Sequence, residues 1–389
     1  MYLDAERKRL SAFDIPSNRP LNKVTPRGET PVGNTPAHGN DTPGGTGTGG
    51  GPPDAGTRGG EEHPGDFVVT LPDGHRLQCR VEGPEDGTPI FQLHGTPGSR
   101  VDTAPPELLD RLGVRLITYD RPGYGGSDPQ EGLKISDSAT HVKAIADHLG
   151  IDRFPVVGRS GGTAHAAAVA AALPDRVTRL GLLVPHAPPA LMKEENFVGM
   201  TQKPEVTAGQ ALSIEGVTAA RLANFNAHPT DPMTIIGIPR NELGSIDREI
   251  VDKHAENLCI QFAEALKQGD KGWNDDYNIR EKEPWGFDIS GIKCPTIVWT
   301  ASGDGFAPTA HAERIAAQLS PGQVRLYAVS GDEVGHFGAQ EIKPGTYAWL
   351  SGKEDLARFP TDPPPGHPPG TPIPTGLDQW TSLAEPSTG

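Results

Sequence analysis

The amino-acid sequence predicts an α/β fold: a mostly parallel, doubly wound sheet of about eight strands with a helical cap inserted after strand six. From residue 67 onward, short runs rich in β-branched residues alternate with helical patterns, which is typical of parallel sheets with crossover helices. Residues 177–184 are almost continuously apolar, as a strand buried on both faces should be. The alternation then stops over residues 187–286, where helical pieces are separated by Pro and Gly.

The predicted strands follow one another at short intervals. The first two form a β-hairpin, because Asp73-Gly74 favours the backbone of a tight hairpin turn. The fifth strand contains Val156 and Val157 and leads into a glycine-rich turn. Apart from the fifth, the strands are predicted at 67–71, 76–81, 89–93, 114–119, 177–184, 296–300 and 324–329.

Helices are predicted between most of these strands. In residues 136–149, apolar side chains recur at helical spacing and share one face. Further helices are expected after the glycine-rich turn and at 217–226, 247–267, 309–319 and 347–350. The cap would lie beyond the carboxyl ends of the strands, where ligands bind in open α/β sheets.

The glycine-rich turn reads Gly158-Arg159-Ser160-Gly161-Gly162, a Gly-x-Ser-x-Gly pattern between a strand and an alanine-rich helix. A serine at such a turn takes a strained backbone conformation that exposes its hydroxyl, and the glycines let strand and helix approach closely. The helix that follows directs free N–H groups towards developing negative charge.

The residues of this turn exclude two other kinds of glycine-rich loop. A phosphate-binding loop would need Gly-Lys-Ser/Thr, and no lysine is present. A dinucleotide-binding turn would need Gly-x-Gly-x-x-Gly, which is also absent. An ordinary glycine-rich connection remains the alternative, although the strand–turn–helix context favours a nucleophilic serine.

The composition divides the chain into domains. The chain has 389 residues, with 49 Gly and 40 Pro unevenly spread. Residues 1–62 and 358–389 are rich in Pro and Gly and poor in apolar side chains, so we expect both segments to be disordered. The core is predicted at 63–186 and 287–357, and the helical cap at 187–286.

Charge and cysteine content exclude several classes of protein. The formal net charge of −15 argues against a nucleic-acid partner. Three separated cysteines predict neither a disulfide framework nor a metal site. No apolar run reaches the length of a membrane span, and the amino terminus does not resemble a secretory signal. We therefore expect a cytoplasmic monomer or homodimer that acts on a small molecule without a cofactor, metal or membrane.

Four sequence blocks resemble the α/β-hydrolase superfamily. They are His94-Gly-Thr-Pro-Gly98, Asp120-Arg-Pro-Gly-Tyr-Gly-Gly-Ser127, the turn at Ser160, and Asp304 to Pro308 with Gly335-His-Phe337. The resemblance is to cofactor-free serine hydrolases of the esterase, haloperoxidase-like and prolyl-iminopeptidase-like branches, and it covers roughly residues 66–350. It implies the α/β-hydrolase fold and acyl-transfer chemistry.

Acyl transfer needs a nucleophile, a base and an orienting acid, which occur in this superfamily in the order Ser, Asp or Glu, His. Ser160, Asp304 and His336 have that order, and each follows a predicted strand. The alternative roles are a turn-forming aspartate for Asp304 and a solvated loop residue for His336. No carboxylate occurs at the other acid position, directly after strand six.

Backbone N–H groups of Thr96 and Gly161 are the expected oxyanion hole, and Pro97 has no N–H to donate. The resemblance implies that His94 is chiefly structural, although it is the rival base. The candidate substrate-binding residues are His94, Arg159, His186 and Trp285. We expect His165 to be packed, and Asp120 and Arg121 to form a structural turn. An exposed acidic turn is favoured for Asp275 and Asp276, and the alternative is contact with a cationic substrate amine, as an aminopeptidase would need.

These features predict a serine hydrolase that cleaves an ester, lactone or amide through an acyl-enzyme, and most closely a carboxylic ester hydrolase. An aminopeptidase or acyltransferase would use the same three residues. A non-catalytic protein that binds a small molecule in the same fold is the alternative from another class. The cap would select the substrate, and the sequence does not identify it.

Overall fold

The computed structural model describes residues 63–191, 206–207, 210–211, 213–281, 284–354, 357 and 359. Eight strands form one sheet in the order β1-β2-β4-β3-β5-β6-β9-β10, and β7 and β8 pair separately. The strands are β1 (Asp66–Thr70), β2 (Arg76–Glu82), β3 (Thr88–Leu93), β4 (Val114–Tyr119), β5 (Phe154–Arg159), β6 (Val177–Leu183), β7 (Val206–Thr207), β8 (Gln210–Ala211), β9 (Thr296–Ala301) and β10 (Val324–Val329).

The sheet is mostly parallel, which confirms the predicted fold class. Strand β2 pairs antiparallel with β1 and with β4, and every other pairing within the sheet is parallel. The carboxyl ends of β3, β5, β6, β9 and β10 therefore lie along one edge. Loops that leave these five strands meet there, as they do at ligand sites of open α/β sheets.

Eleven helices are described in these parts of the chain. They are α1 (Pro106–Leu112), α2 (Asp137–His148), α3 (Gly162–Ala172), α4 (Ile214–Ala227), α5 (Met233–Ile236), α6 (Ser245–Lys253), α7 (Ala255–Ala265), α8 (Lys271–Glu281), α9 (Thr309–Ala316), α10 (Gly338–Glu341) and α11 (Lys343–Leu350). Helices α4 to α8 lie between β6 and β9, and we call residues 213–281 the helical segment.

Both faces of the sheet are buried. Neighbouring strand residues belong to different hydrophobic clusters: Ile90 and Leu183 to one, Phe91 and Leu182 to the other. Successive side chains of a strand point to opposite faces, so one cluster lies on each side of the sheet. All residues of β5 and β9 are buried, as their apolar sequences predict.

Helix α3 packs closely on the ends of β3 and β5. A Cβ on Gly158 would overlap the backbone of Gly162, and a Cβ on Gly162 would overlap the carbonyl oxygens of Leu93 and His94. Only glycine permits this approach of helix to strand. The glycines of the turn thus fix where the amino end of α3 lies relative to the loop after β3.

Two predictions about helices were wrong. The expected helix at 247–267 is divided into α6 and α7, and His254 separates them with a non-helical φ of −107°. Helix α8 occupies residues for which no helix was expected, including the supposed acidic turn at Asp275 and Asp276.

The structure bears only in part on the expectations for the two terminal segments, the cysteines and membrane spans. The predicted disordered segments at 1–62 and 358–389 lie outside the described residues, apart from residue 359. Cys79, Cys259 and Cys294 are free and buried. Within the described parts of the chain, no helix has the length and apolar character needed to cross a membrane.

Candidate active site

Ser160 has the strained backbone that the turn predicts. Its φ is +53°, in a region that only glycine adopts without cost. The Ser160 N–H donates to the Leu183 carbonyl at 2.9 Å, and the Ser160 carbonyl accepts from the N–H and hydroxyl of Thr163 at 3.0 and 2.6 Å. These three hydrogen bonds hold the serine between β6 and α3, where its side chain lines a cavity.

His336 lines the same cavity and is bonded to Asp304 behind it. The His336 Nδ1–H donates to Asp304 Oδ2 at 2.9 Å. The other carboxylate oxygen, Oδ1, accepts from the N–H groups of Phe306 and Ala307 at 2.7 and 2.8 Å. Asp304 is therefore fixed by its own loop, and it determines which nitrogen of the His336 ring carries the proton.

Asp247 supports the His336 loop from the helical segment, and the sequence did not predict it. Its carboxylate oxygens accept from the N–H groups of Gly335 and Phe337 at 2.9 and 3.2 Å. Burial raises the pKa of Asp247 to about 6, and the two N–H donors oppose that rise. In the sequence, the only signal is an aspartate on the buried face of α6 beside Ile250 and Val251.

The loop after β3 meets the amino end of α3. A Cβ on Gly161 would overlap Thr96 Oγ1 and Arg280 Nη1, so the glycine-rich turn contacts both side chains. Thr96 lines the cavity together with Ser160 and His336. The structure thus brings Thr96, Gly161, Ser160 and His336 to one place.

Asp276 lies beneath this loop in a buried polar network. It accepts from Thr96 Oγ1 at 2.7 Å, from Tyr124 OH and His165 Nε2 at 3.0 Å each, and from the Arg121 guanidinium. Burial alone would raise the pKa of Asp276, but Arg121 and His165 outweigh it and hold the pKa well below its ordinary value.

This network corrects one prediction and confirms another. The expected exposed acidic turn is wrong for Asp276, which is 2% exposed. Its neighbour Asp275 is partly exposed and pairs with Lys271 at 2.6 Å. His165 is buried, as predicted.

His94 and Trp285, two of the candidate substrate-binding residues, are not among the residues that line the cavity. His94 Nε2 accepts from the Arg121 N–H at 3.2 Å, and burial lowers the pKa of His94 well below its ordinary value. Trp285 Nε1 donates to the Arg280 carbonyl at 3.1 Å, and its ring stacks on Phe287. Both side chains support residues near the site.

Arg159 and His186, the other two candidates, do line the cavity. Arg159 Nη2 lies 3.4 Å from Asp102 Oδ2, and Asp102 Oδ1 accepts from Lys343 Nζ at 2.5 Å. Burial lowers the pKa of His186 well below its ordinary value, and the charge of Arg280 lowers it further. The imidazole of His186 is therefore neutral at physiological pH.

The cavity is small, at about 80 Å³. The loop ends of the sheet supply one wall, including Gly95, Pro97 and Phe306. Two arginines that the sequence analysis did not single out, Arg221 and Arg280, also line it. The helical segment supplies an apolar and aromatic wall of Ile235, Ile236, Leu258, Phe262, Trp273 and Tyr277.

Among the described residues, no group of three or more His, Cys, Asp or Glu side chains could hold a metal ion. The polar side chains that line the cavity carry three hydroxyls, two imidazoles, three guanidinium groups and one indole N–H. Their chemistry suits nucleophilic attack and the binding of negative charge.

Comparison with known proteins identifies the family. The sequence profile of the alpha/beta hydrolase fold matches residues 88–339. This match covers more than half of the chain, so the chain belongs to the alpha/beta hydrolase fold family. The resemblance found in the sequence is confirmed.

Curated relatives match a shorter stretch. A non-heme chloroperoxidase from Streptomyces lividans is 36% identical over 132 residues, which are 33% of this chain and 47% of the relative. A proline iminopeptidase from Arabidopsis thaliana is 32% identical over 117 residues, which are 29% of this chain and 31% of the relative. The chain thus spans less than half the length of these two relatives.

Solved structures match more of the chain. An enol-lactonase from Burkholderia xenovorans LB400 has a TM-score of 0.55 at 18% identity, covering 74% of this chain and 99% of that chain. A bromoperoxidase from Bacillus anthracis has a TM-score of 0.54 at 20% identity, covering 73% and 98%. At such identities the likeness shows the fold.

Proposed function

We propose that this protein is a serine hydrolase that cleaves a small-molecule ester, lactone or amide through an acyl-enzyme on Ser160. The proposal rests on one observation. Ser160, at a strained strand-to-helix turn, lines the same cavity as His336, whose Nδ1–H is bonded to Asp304. A nucleophile, a base and an orienting acid on three neighbouring loops are what acyl transfer requires.

In the proposed mechanism, the Ser160 hydroxyl attacks the substrate carbonyl while His336 Nε2 accepts its proton. Asp304 keeps the proton of the resting ring on Nδ1 and stabilises the imidazolium that forms. His336 then protonates the leaving group, and the acyl group stays on Ser160 Oγ. Water attacks this ester with His336 again as base, which releases the acid and restores the serine.

The oxyanion that forms would be stabilised by the N–H groups of Thr96 and Gly161. Two contacts support this assignment. The Thr96 side chain is held by Asp276, and Gly161 lies against Thr96 closely enough that a Cβ would overlap it. Both N–H groups would be preorganised, so the reaction would not have to order them.

The helical segment would act as the cap that selects the substrate. It contributes apolar side chains to the cavity that Ser160 lines, and these would shield the reacting groups from bulk water. The same three residues serve an aminopeptidase or an acyltransferase. The proline iminopeptidase relative keeps amide substrates among the alternatives.

A fluorophosphonate probe tests the proposal. Such a probe reacts with serines activated by a base, so one adduct per chain is expected on the wild type and none on Ser160→Ala. Intact mass spectrometry measures both. Ser290→Ala removes an exposed serine from the surface and serves as the matched control, which should label like the wild type.

Labelled wild type and control would justify turnover assays with p-nitrophenyl esters and lactones. Circular dichroism would show whether each variant is folded. A folded wild type that takes no adduct would reject the hydrolase and favour the non-catalytic binding protein.

A further inference from the structure

A second strained residue lies at the end of β6, beside the turn that carries Ser160. Among the described residues other than glycine, only Ser160 and Val184 have a positive φ, at +53° and +47°. Val184 is β-branched, and a β-branched residue in this region of backbone space is a genuine outlier. Such strain persists only where the surrounding structure imposes it, and it is concentrated at functional sites. The segment that follows Val184 is therefore a place to look for a functional side chain.

Hydrogen bonds fix this segment on both sides of His186. The Val184 N–H donates to the Trp299 carbonyl at 2.8 Å, and the Ala187 N–H donates to His311 Nδ1 at 3.0 Å. The His311 nitrogen can accept because burial lowers the pKa of His311 to about 4, which leaves its ring neutral. The two histidine rings also contact each other in a T-shaped arrangement, with 5.6 Å between their centres. The backbone that carries His186 is thus held in place by the fold itself.

The sheet topology places His186 between two of the proposed catalytic groups. Strand β6 lies between β5 and β9, whose loops carry Ser160 and Asp304. The Ser160 N–H donates to the Leu183 carbonyl at 2.9 Å, so the end of β6 is bonded directly to the nucleophile's turn. His186 lines the cavity together with Ser160 and is only 6% exposed. A ligand that reaches Ser160 would therefore meet the imidazole of His186.

The nitrogens of this imidazole are not used within the protein. In the part of the chain that the structure describes, no hydrogen bond or ion pair joins the His186 ring to another residue. Burial lowers the pKa of His186 well below its ordinary value, so the ring is neutral and carries one N–H donor and one nitrogen acceptor. Buried polar groups without partners are costly, and a bound ligand would satisfy them.

From this geometry we propose that His186 is a specificity residue, which forms a hydrogen bond with a hydroxyl or amide group on the acyl part of the substrate. The inference rests on the proposed hydrolase function and names the class of substrate for that site. Hydroxyl and amide groups both donate and accept, as a neutral imidazole does. A carboxylate could only accept and an ammonium group could only donate, so each would leave one ring nitrogen without a partner.

The acyl part is assigned to His186 because it stays in the cavity. In the proposed mechanism the leaving group departs towards solvent, while the acyl group remains on Ser160 until water releases it. A side chain that is 6% exposed suits the part of the substrate that stays. The cavity holds about 80 Å³, so the acyl group is short and its polar group lies within a few bonds of the scissile carbonyl.

Two pairs of p-nitrophenyl esters with the same leaving group test the proposal. Both enantiomers of the β-hydroxybutyrate ester are compared with the butyrate ester. The N-acetylglycine ester is compared with the isocaproate ester, in which hydrocarbon of the same shape replaces the amide. Each kcat/KM is divided by the rate constant of alkaline hydrolysis of the same ester, which corrects for intrinsic reactivity.

The wild type should prefer the polar member of at least one pair by roughly fivefold or more, the effect of one buried hydrogen bond. Equal corrected values within both pairs would overturn the inference. That result is expected if His186 binds only water in the cavity.

Variants of His186 test whether this residue causes the preference. His186→Phe removes both ring nitrogens and should bring the preference close to one, whereas His186→Gln supplies an amide and should keep part of it. His228→Phe is the matched control, because His228 is exposed on the helical segment and bonds only to Asn224 among the described residues. It should keep the wild-type preference. A folded His186→Phe variant with the preference of the control would overturn the inference.

These outcomes are distinct from failure of the proposed function. If no ester is cleaved and the fluorophosphonate probe does not label Ser160, the hydrolase proposal fails. If Ser160 is labelled and the hydrocarbon esters are cleaved as well as the polar ones, only the role of His186 is wrong.

Discussion

Asp247 acts on His336 through the backbone. It accepts from the N–H groups on either side of the histidine, and within the described structure no hydrogen bond joins its carboxylate to the ring nitrogens. Its carboxyl is buried, and burial raises its pKa from 3.8 to about 6. It is a positioning residue, and its ionisation is linked to folding.

The pH dependence of stability tests this residue. Between pH 3.8 and about 6, the Asp247 carboxyl keeps its proton in the folded chain and has lost it in the unfolded chain, because its pKa is raised in the folded chain. The contribution of Asp247 to the free energy of unfolding is fully present below pH 3.8 and is lost as the pH rises to about 6. At about 1.4 kcal/mol per pKa unit, the loss is up to about 3 kcal/mol.

Asp247→Asn should abolish this part of the pH dependence, measured as the urea-unfolding free energy at pH 4 and pH 7. Asp252→Asn changes an exposed acid on the same helix and is the matched control. If the unfolding free energies of Asp247→Asn and Asp252→Asn change equally between pH 4 and pH 7, Asp247 does not titrate as described.

The buried carboxylates could not be predicted from the sequence alone. Ser160, Asp304 and His336 were predicted because the glycines around them and their positions after strands form a pattern. Asp247 and Asp276 have no such neighbours, and an aspartate on a helix is ordinarily exposed. Their roles come from contacts that are distant in the sequence. Asp247 accepts from Gly335, which is 88 positions away, and Asp276 accepts from Thr96, which is 180 positions away.

At the scale of elements, the strands were predicted well and the helical segment poorly. Apolar runs identify buried strands directly. Helix α8 was missed because its buried face consists of Trp273, Asp276 and Arg280, two of which are charged. A pattern of apolar residues cannot show such a face, and the apolar pattern of 247–267 likewise runs through the break at His254.

The buried face of α8 predicts which substitutions in that helix lower the free energy of unfolding. Asp276→Ala would leave the buried Arg121 guanidinium without its ion pair, which costs about 3–5 kcal/mol of unfolding free energy. Asp275→Ala is the control on the same helix, because its partly exposed pair with Lys271 is worth less than about 1 kcal/mol. Urea unfolding measures both.

Asp276→Asn keeps the shape of the side chain and should fall between the two alanine variants. Equal losses for Asp276→Ala and Asp275→Ala would mean that the network under Thr96 does not stabilise α8.

At the scale of the whole molecule, the predicted site depends on a limited part of the chain. The site residues extend from Thr96 to His336, within the range of the family match. Near the start of the described residues, the Gly65 carbonyl accepts from the Val81 N–H of the sheet at 2.9 Å. We therefore expect the segment before residue 63 to be dispensable for the proposed reaction.

Deleting residues 1–62 should leave kcat/KM within about twofold of the full chain. Deleting residues 1–71 is the comparison, because it also removes β1 and the Asp66 carboxylate that binds Arg80 and Arg100. This second chain should lose stability in urea. Loss of turnover from the first, folded chain would show that the amino-terminal segment takes part in function.

The helical segment could not be exchanged for that of a relative without affecting the loops that it supports. It supplies a wall of the cavity, and through Asp247 and Asp276 it also supports the loops that carry His336 and Thr96. Under the proposed function, substrate preference and the alignment of the reacting groups would thus be encoded in the same stretch. A chimaera that exchanges this stretch for that of a relative would have to transfer both aspartates in register, so the segment is not a separable module.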